Sequence, residues 1–211
     1  YYAFGSVLAQ YVSNNTDIKI TAVVGNGSQA NVEDLDSGAV QLGFCQSDVM
    51  SYAYSGTNLF AESGAVDSFS VAAALYMEQV QIFTTNPDIK TVEDLKGKTV
   101  SIGASGSGVF YNAIDILSAY GLDYETDIKA QYQDFGNSAD SLQDGKIDAA
   151  FTVAGAPTTS ITELDATAEF DMISLTPEAV EYLTTNYPFL VQEDLPAGTY
   201  PNNIDLSLIH I

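Results

Sequence analysis

The chain has 211 residues, 46% of them apolar, enough for one large domain or two small ones. Its 28 Asp and Glu stand against only 6 basic residues, all of them Lys, for a formal net charge of −22. That balance repels phosphate backbones and anionic lipid headgroups and excludes nucleic-acid partners. No apolar run reaches the length of about 18 residues that a membrane-spanning helix needs.

In chain order, Tyr1–Asn14 reads as a helix with Phe4, Val7, Leu8 and Tyr11 on one face. Ile18–Val24 alternates like a strand and ends in the turn Gly25-Asn-Gly-Ser28. Ser28 is placed to cap a helix reaching Ser37. Leu42–Cys45 predicts a strand, and Gln46-Ser47-Asp48 the start of a helix ending near Gly56. Phe69–Leu75 and Val80–Thr85 are two further β-rich runs, separated by Tyr76-Met-Glu78-Gln. Thr91-Val-Glu-Asp94 predicts a short capped helix, Thr99–Ile102 a strand, and Val109–Tyr120 a helix stopped at Gly121. Ile128–Tyr132, the helix Asn137–Asp144 and the strand Ala149–Val153 continue the alternation. A helix to about Thr167, a strand at Phe170–Leu175 and a helix from Pro177 to Asn186 follow, with an irregular Pro- and Gly-containing remainder. The last six residues, Leu206-Ser-Leu-Ile-His-Ile211, fit none of this. They resemble a reading frame through a transposon end and are expected to be a non-native tail, with a native terminal strand as the alternative.

Two stretches echo one another. Leu35-Asp-Ser-Gly38-Ala-Val40-Gln-Leu-Gly-Phe44 and Leu142-Gln-Asp-Gly145-Lys-Ile147-Asp-Ala-Ala-Phe151 share L-x-x-G-x-[V/I]-x-x-[G/A]-F. In each, a helix-like segment ends at a Gly suited to a left-handed stop and a short apolar run follows. Repetition of one helix–Gly–strand unit predicts two similar α/β lobes with mainly parallel sheets, and a cleft between them for a small ligand. In such sheets the ligand lies beyond the carboxyl ends of the strands. Here those ends are the loops Gly25–Ser28, Gln46–Asp48, Tyr76–Gln79, Gly103–Gly108 and Val153–Pro157.

Without Arg, an anionic ligand must be held by Lys, hydroxyls or the free N–H groups of a helix start. Gly103-Ala-Ser-Gly-Ser-Gly108, ahead of a helix, offers such a start through Ser105, Ser107 and Gly108. It lacks both the third glycine of a dinucleotide loop, since Tyr111 stands there, and the Gly-Lys-Ser/Thr of a phosphate loop. Gln46 and Ser47 end an apolar run with hydrogen-bonding side chains, whereas Asp48 also suits a plain helix N-terminus. Tyr76 and Glu78, the latter able to hold a ligand amino group, and Asn31 complete the list of cleft candidates read from the residues themselves. Cys45, alone, reads as core filler. Catalysis finds little support, because the one histidine, His210, lies in the anomalous tail and no Cys/His cluster suggests zinc.

Several motifs occur in order: Tyr1-Tyr2 opening a helix, Gly27-Ser-x-x-Asn31, Phe44-x-Gln46-Ser-Asp48, Lys90 followed by Lys96-Gly-Lys98, Gly103–Gly108, Asp144-Gly-Lys-Ile-Asp-Ala-Ala-Phe151, Ala154-Gly155-x-Pro157 and Pro196-Ala-Gly-Thr-Tyr200. Together they resemble the TAXI-type solute receptors of TRAP transporters, within the type II periplasmic binding proteins. The resemblance implies a two-lobed α/β fold joined by crossover strands, with lobe one at 1–82, lobe two at 83–175, a return to lobe one at 176–205, and the tail 206–211. It implies further segments on both sides of this stretch. It also implies a monomeric periplasmic or extracytoplasmic receptor, without enzymatic activity, cofactor or metal. Such a receptor catches a small carboxylate or amino-acid solute, such as glutamate or glutamine, and passes it to TRAP membrane permease subunits. Tyr2 and Gly155 join Ser28, Asn31, Gln46, Ser47, Tyr76, Glu78, Ser105, Ser107 and Gly108 as expected ligand contacts. One departure matters: the family loop usually continues with Thr-Glu after this glycine, but Val109-Phe110 follow Gly108, weakening the inference to glutamate. Another type II binding protein, for a thiamine-precursor-like heterocycle or a sulfonate, and an enzyme or effector-sensing domain on the same fold are the alternatives.

Overall fold

The computed structural model describes residues 2–200 and 206–210; Tyr1, the 201–205 stretch and Ile211 lie outside it. Three helices occupy the first part: α1 (Tyr2–Asn15), α2 (Ser28–Asp36) and α3 (Ser47–Ser55). α3 ends on Gly56 in the left-handed conformation, as its sequence predicts. Seven strands follow: β1 (Gln79–Thr84), β2 (Thr99–Ser101), β3 (Lys129–Gln131), β4 (Ala149–Ala154), β5 (Asp171–Met172), β6 (Val191–Leu195) and β7 (Leu206–His210). Between them lie α4 (Gly108–Ala119), α5 (Phe135–Gln143), α6 (Thr159–Asp165) and α7 (Pro177–Asn186).

The strands form one sheet in the order β3-β2-β4-β1-β7-β6, with β5 also on β1. β3, β2 and β4 are parallel, whereas β1 enters antiparallel to β4 with Ile82 opposite Phe151. β4 is buried along nearly its whole length, as a run that is apolar but for Thr152 requires when helices cover both faces. Neighbouring β1 residues divide between those faces. Ile82 packs with Ile116 and Leu117 of α4 and Leu183 of α7, while Phe83 packs with Leu142 of α5 and Ile161 of α6. Fully burying each such side chain contributes about 1.5–3 kcal/mol.

A smaller core lies in the first part, where Val32 of α2 and Val49, Tyr52 and Ala53 of α3 close over Phe60. Tyr111 of α4 belongs to this cluster, so the first part packs directly on the helix that opens after the glycine loop.

Several expectations need correction. Ile18–Val24, Leu42–Cys45 and Phe69–Leu75 are not strands: each lacks a ladder partner among the described residues. Many of their apolar side chains stay open to solvent, Val24 at 74% and Leu42 at 66% exposure, while Ile20, Phe44, Cys45 and Phe69 are half-buried. The echo therefore holds for the helix and its glycine stop, with Gly38 and Gly145 both at positive φ, but only the second copy continues into a strand. Ser28 lies inside α2, and Gly27 is its cap. The capped turn at Thr91 is a 3-10 helix over Val92–Leu95, and the predicted strand at Phe170–Leu175 shortens to Asp171–Met172. The remainder expected to be irregular supplies β6 to the sheet of β1. Leu206–His210 of the suspected tail pairs along all of β6.

Candidate functional site

α4 begins beside the first part of the chain. Ser107 caps it, its Oγ accepting the Phe110 N–H at 3.4 Å. The preceding loop turns through Gly103 and Gly106, both at positive φ. Across from it, Gly27 takes φ 113°, and a Cβ there would stand 2.7 Å from the Ser107 Cα, so only glycine permits this approach. The Gln29 N–H donates to the Gly106 carbonyl at 3.2 Å, and the Tyr111 hydroxyl donates to Gln29 Oε1 at 3.2 Å.

Gln46, at the cap of α3, reaches the same place. Its carboxamide oxygen lies so close to Gly108 that a Cβ would overlap it. Its Nε2 donates to Asn112 Oδ1 at 3.0 Å, and its backbone N–H donates to Ser28 Oγ at 3.2 Å. Asn112 in turn donates Nδ2 to Asp48 Oδ2 at 2.7 Å, and the other Asp48 oxygen accepts the Val49 N–H at 2.7 Å.

Both Asp48 and Asn112 are fully buried. Burial pushes the Asp48 carboxyl up to about 7 against the hydrogen bonds that favour its charge, those from Val49 and Asn112 foremost. One turn along α4, Asp115 accepts from the Tyr52 hydroxyl at 3.0 Å and also bonds Tyr187; burial raises it to about 6. Cys45 is pushed up to about 12 by burial and the nearby Asp48, so its thiol stays protonated and unreactive at neutral pH.

The structure thus brings Ser28, Gln46, Ser107 and Gly108 together. Ser47 and Ser105 flank them on the exposed surface. The others are more dispersed. The Asn31 amide donates to the Phe44 carbonyl at 2.7 Å, bracing the chain that leads into Gln46. Tyr2 is exposed on the first turn of α1, Tyr76 is exposed and Glu78 buried just before β1, and the Gly155 carbonyl accepts from Thr158 Oγ1 at 3.2 Å beyond β4. Sequence reasoning missed Asn112, Asp115, Tyr52 and Gln29. The available signal was the pair Asn112 and Asp115, one turn apart on a helix face otherwise made of Ala113, Ile116 and Leu117.

An open depression of about 610 Å³ lies on the other side of the glycine loop, lined by Ala104, Tyr132, Gln133, Asp134, Asp140 and Asp144 among others. Its lining carries the carboxylates of Asp134, Asp140 and Asp144 and the ammonium group of Lys146. Among the described residues no group of three or more His, Cys, Asp or Glu is placed to hold a metal ion, and no helix is long and apolar enough to cross a membrane.

The fold is that of the two-lobed periplasmic binding proteins. Residues 1–209 match the NMT1-like family, and the chain belongs to it. Among solved structures it is similar to the periplasmic aliphatic sulphonate binding protein SsuA from Escherichia coli, at 19% identity and a TM-score of 0.50, covering 97% of this chain and 56% of that one. The alkanesulfonate-binding protein SsuA from Xanthomonas axonopodis pv. citri, bound to MOPS, is 23% identical with a TM-score of 0.50, covering 89% of this chain and 64% of that one. The substrate binding protein of an amino acid ABC transporter is 15% identical with a TM-score of 0.51, covering 99% of this chain and 72% of that one. The chain therefore spans 56% and 64% of the two sulfonate-binding relatives.

Proposed function

We propose that the chain is the solute-binding part of an extracytoplasmic receptor that holds a small organic anion at the start of α4. The observation that carries this reading is the juxtaposition of a capped helix N-terminus with glycine-enabled close approach from Gly27 and Gln46. A helix start attracts negative charge and supplies free N–H donors, which suits a chain without Arg. Ser28, Gln46, Ser47, Ser105, Ser107 and Gly108 form the inner contacts in this reading, and Tyr2, Asn31, Tyr76, Glu78 and Gly155 an outer set. In this reading the solute sits beside the Gln46 carboxamide, which remains at the α4 start through its bond to Asn112.

The preferred ligand is a carboxylate such as glutamate or glutamine, delivered to TRAP membrane permease subunits; the ordered motifs of the TAXI-type receptors support this. A sulfonate is the second reading, because it presents the same anionic oxygens and two of the similar structures are sulfonate-binding proteins. The residues 83–175 form the second lobe in this scheme. Calorimetry and thermal shift against L-glutamate, L-glutamine, succinate, ethanesulfonate and an aminopyrimidine test it. A bound solute at a hundredfold excess over its Kd raises stability by about 2.7 kcal/mol. Response to the aminopyrimidine alone would overturn the anion reading.

A further inference from the structure

The α4 start is wired to a buried acid. Gln46 Nε2 donates to Asn112 Oδ1, and Asn112 Nδ2 donates to Asp48 Oδ2, so a chain of two carboxamides links the surface of the cleft to a fully buried carboxylate. Each carboxamide has one accepting and one donating end, so the orientation of the first fixes that of the second. An ionised Asp48 can only accept. It therefore draws the NH2 of Asn112, turns the Asn112 oxygen toward Gln46, takes the Gln46 NH2, and leaves the Gln46 oxygen against Gly108.

A protonated Asp48 reverses every link. Its Oδ1 still accepts the Val49 N–H, while the proton on Oδ2 is donated to an Asn112 turned end for end. Asn112 then offers NH2 to the Gln46 oxygen, and the Gln46 NH2 is presented at the helix start. An anionic solute there meets an acceptor in the first state and a donor in the second.

We propose that Asp48 and Asn112 are positioning residues that set the hydrogen-bonding polarity of Gln46, so that anion binding is coupled to uptake of one proton by Asp48. This rests on the reading of the α4 start as an anion site. The groups that face Asp48 leave it free to act this way: Asp115 of α4, Tyr52 of α3, and Cys45 just before α3 carry no positive charge, and Tyr187 adds its hydroxyl on the far side of Asp115. Glu33, Asp34 and Asp36 of α2 are exposed. Lys90, Lys96 and Lys146 pair instead with Asp171, Asp127 and Asp144. The tendency of burial to keep Asp48 protonated places the change near neutral pH.

The test has a ligand-free arm and a binding arm. Side-chain amide NMR of the chain follows Gln46 and Asn112 between about pH 5.5 and 8.5, a window that brackets the titration of a raised carboxyl. Both residues should shift together through one main step. The step should vanish in Asp48→Asn, which keeps the shape of the side chain, and survive in Asp115→Asn with a moved midpoint. Calorimetry with ethanesulfonate and L-glutamate, whose anionic groups stay charged over this range, should show affinity falling about tenfold per pH unit above the midpoint. In Asp48→Asn that slope should be absent. Gln46 amide signals that stay flat, or that move equally in Asp48→Asn, would overturn the switch, as would a pH-independent affinity in the wild type. If neither probe binds at any pH, the anion reading falls, while the amide titration still decides the switch by itself.

Discussion

The Tyr200 hydroxyl donates to the Gln81 carboxamide oxygen and accepts the Thr158 backbone N–H at 2.8 Å, tying the chain beyond β6 to the middle of β1. Gln81 completes its bonds through Nε2 to the Ala154 carbonyl and Thr158 Oγ1. All three residues are buried, so removal of the hydroxyl strands partners away from water. Tyr200→Phe should cost about 1–3 kcal/mol in urea unfolding, with the slope against urea unchanged. A variant as stable as the wild type would show that water or a shifted neighbour replaces the bond.

Stability should fall as pH rises from about 4 to 7. Asp48 is raised by burial to about 7 and Asp115 to about 6, so over this window the native state holds more protons than the unfolded chain. The favourable contribution is complete below the unfolded carboxyl range, falls as pH rises from there toward each folded pKa, and is gone once the acid has ionised in place. For Asp48 the loss is on the order of 4 kcal/mol. Thermal unfolding in Asp48→Asn should show a clearly flatter pH dependence than in the wild type; parallel curves would mean that Asp48 is ionised at little cost.

Gly27→Ala should hold the two halves apart. The new methyl meets backbone atoms of Gly106 and Ser107, which no rotamer change can move away, and the φ of 113° is one that L residues avoid. We expect about 1–3 kcal/mol of destabilisation from that conformation, together with loss of the Gln29–Gly106 hydrogen bond. Amide exchange at Gln29 should accelerate relative to β4, and an unchanged ratio would refute the closed contact.

For binding, Gly108→Val and Lys96→Ala make an informative pair. The valine displaces the Gln46 carboxamide and blocks backbone approach at the α4 start, so solute affinity should drop at least about tenfold. Lys96 pairs with Asp127 at 2.9 Å on an exposed edge and should be neutral for binding. Loss of binding in Lys96→Ala, with Gly108→Val unaffected, would place the anion elsewhere.

Much of the second half was legible in the sequence because its signals are local and strong. The run Ala149–Val153, the Thr91–Asp94 capping box, the stop at Gly121 and Pro177 behind the cap Thr176 each fix their own few residues, and the structure places them accordingly. The first half misled because a strand needs a partner. Ile18–Val24 alternates correctly, yet among the described residues nothing pairs with it, and pattern alone does not make a ladder.

For the candidate site, sequence by itself determined the ingredients: a glycine loop and serine cap before α4, no Arg, and Gln46 and Asp48 at the head of α3. These follow from backbone chemistry within a few residues. Only the tertiary structure decided that Gln46 would lie on Gly108, and that Asn112 would join it to Asp48. The first contact crosses from the head of α3 to that of α4, and it exists because Val32, Val49 and Tyr52 pack against Tyr111. Such packing depends on how two helices meet, and it also removes water from Asp48, so neither the contact nor the raised pKa is written in any local run of residues.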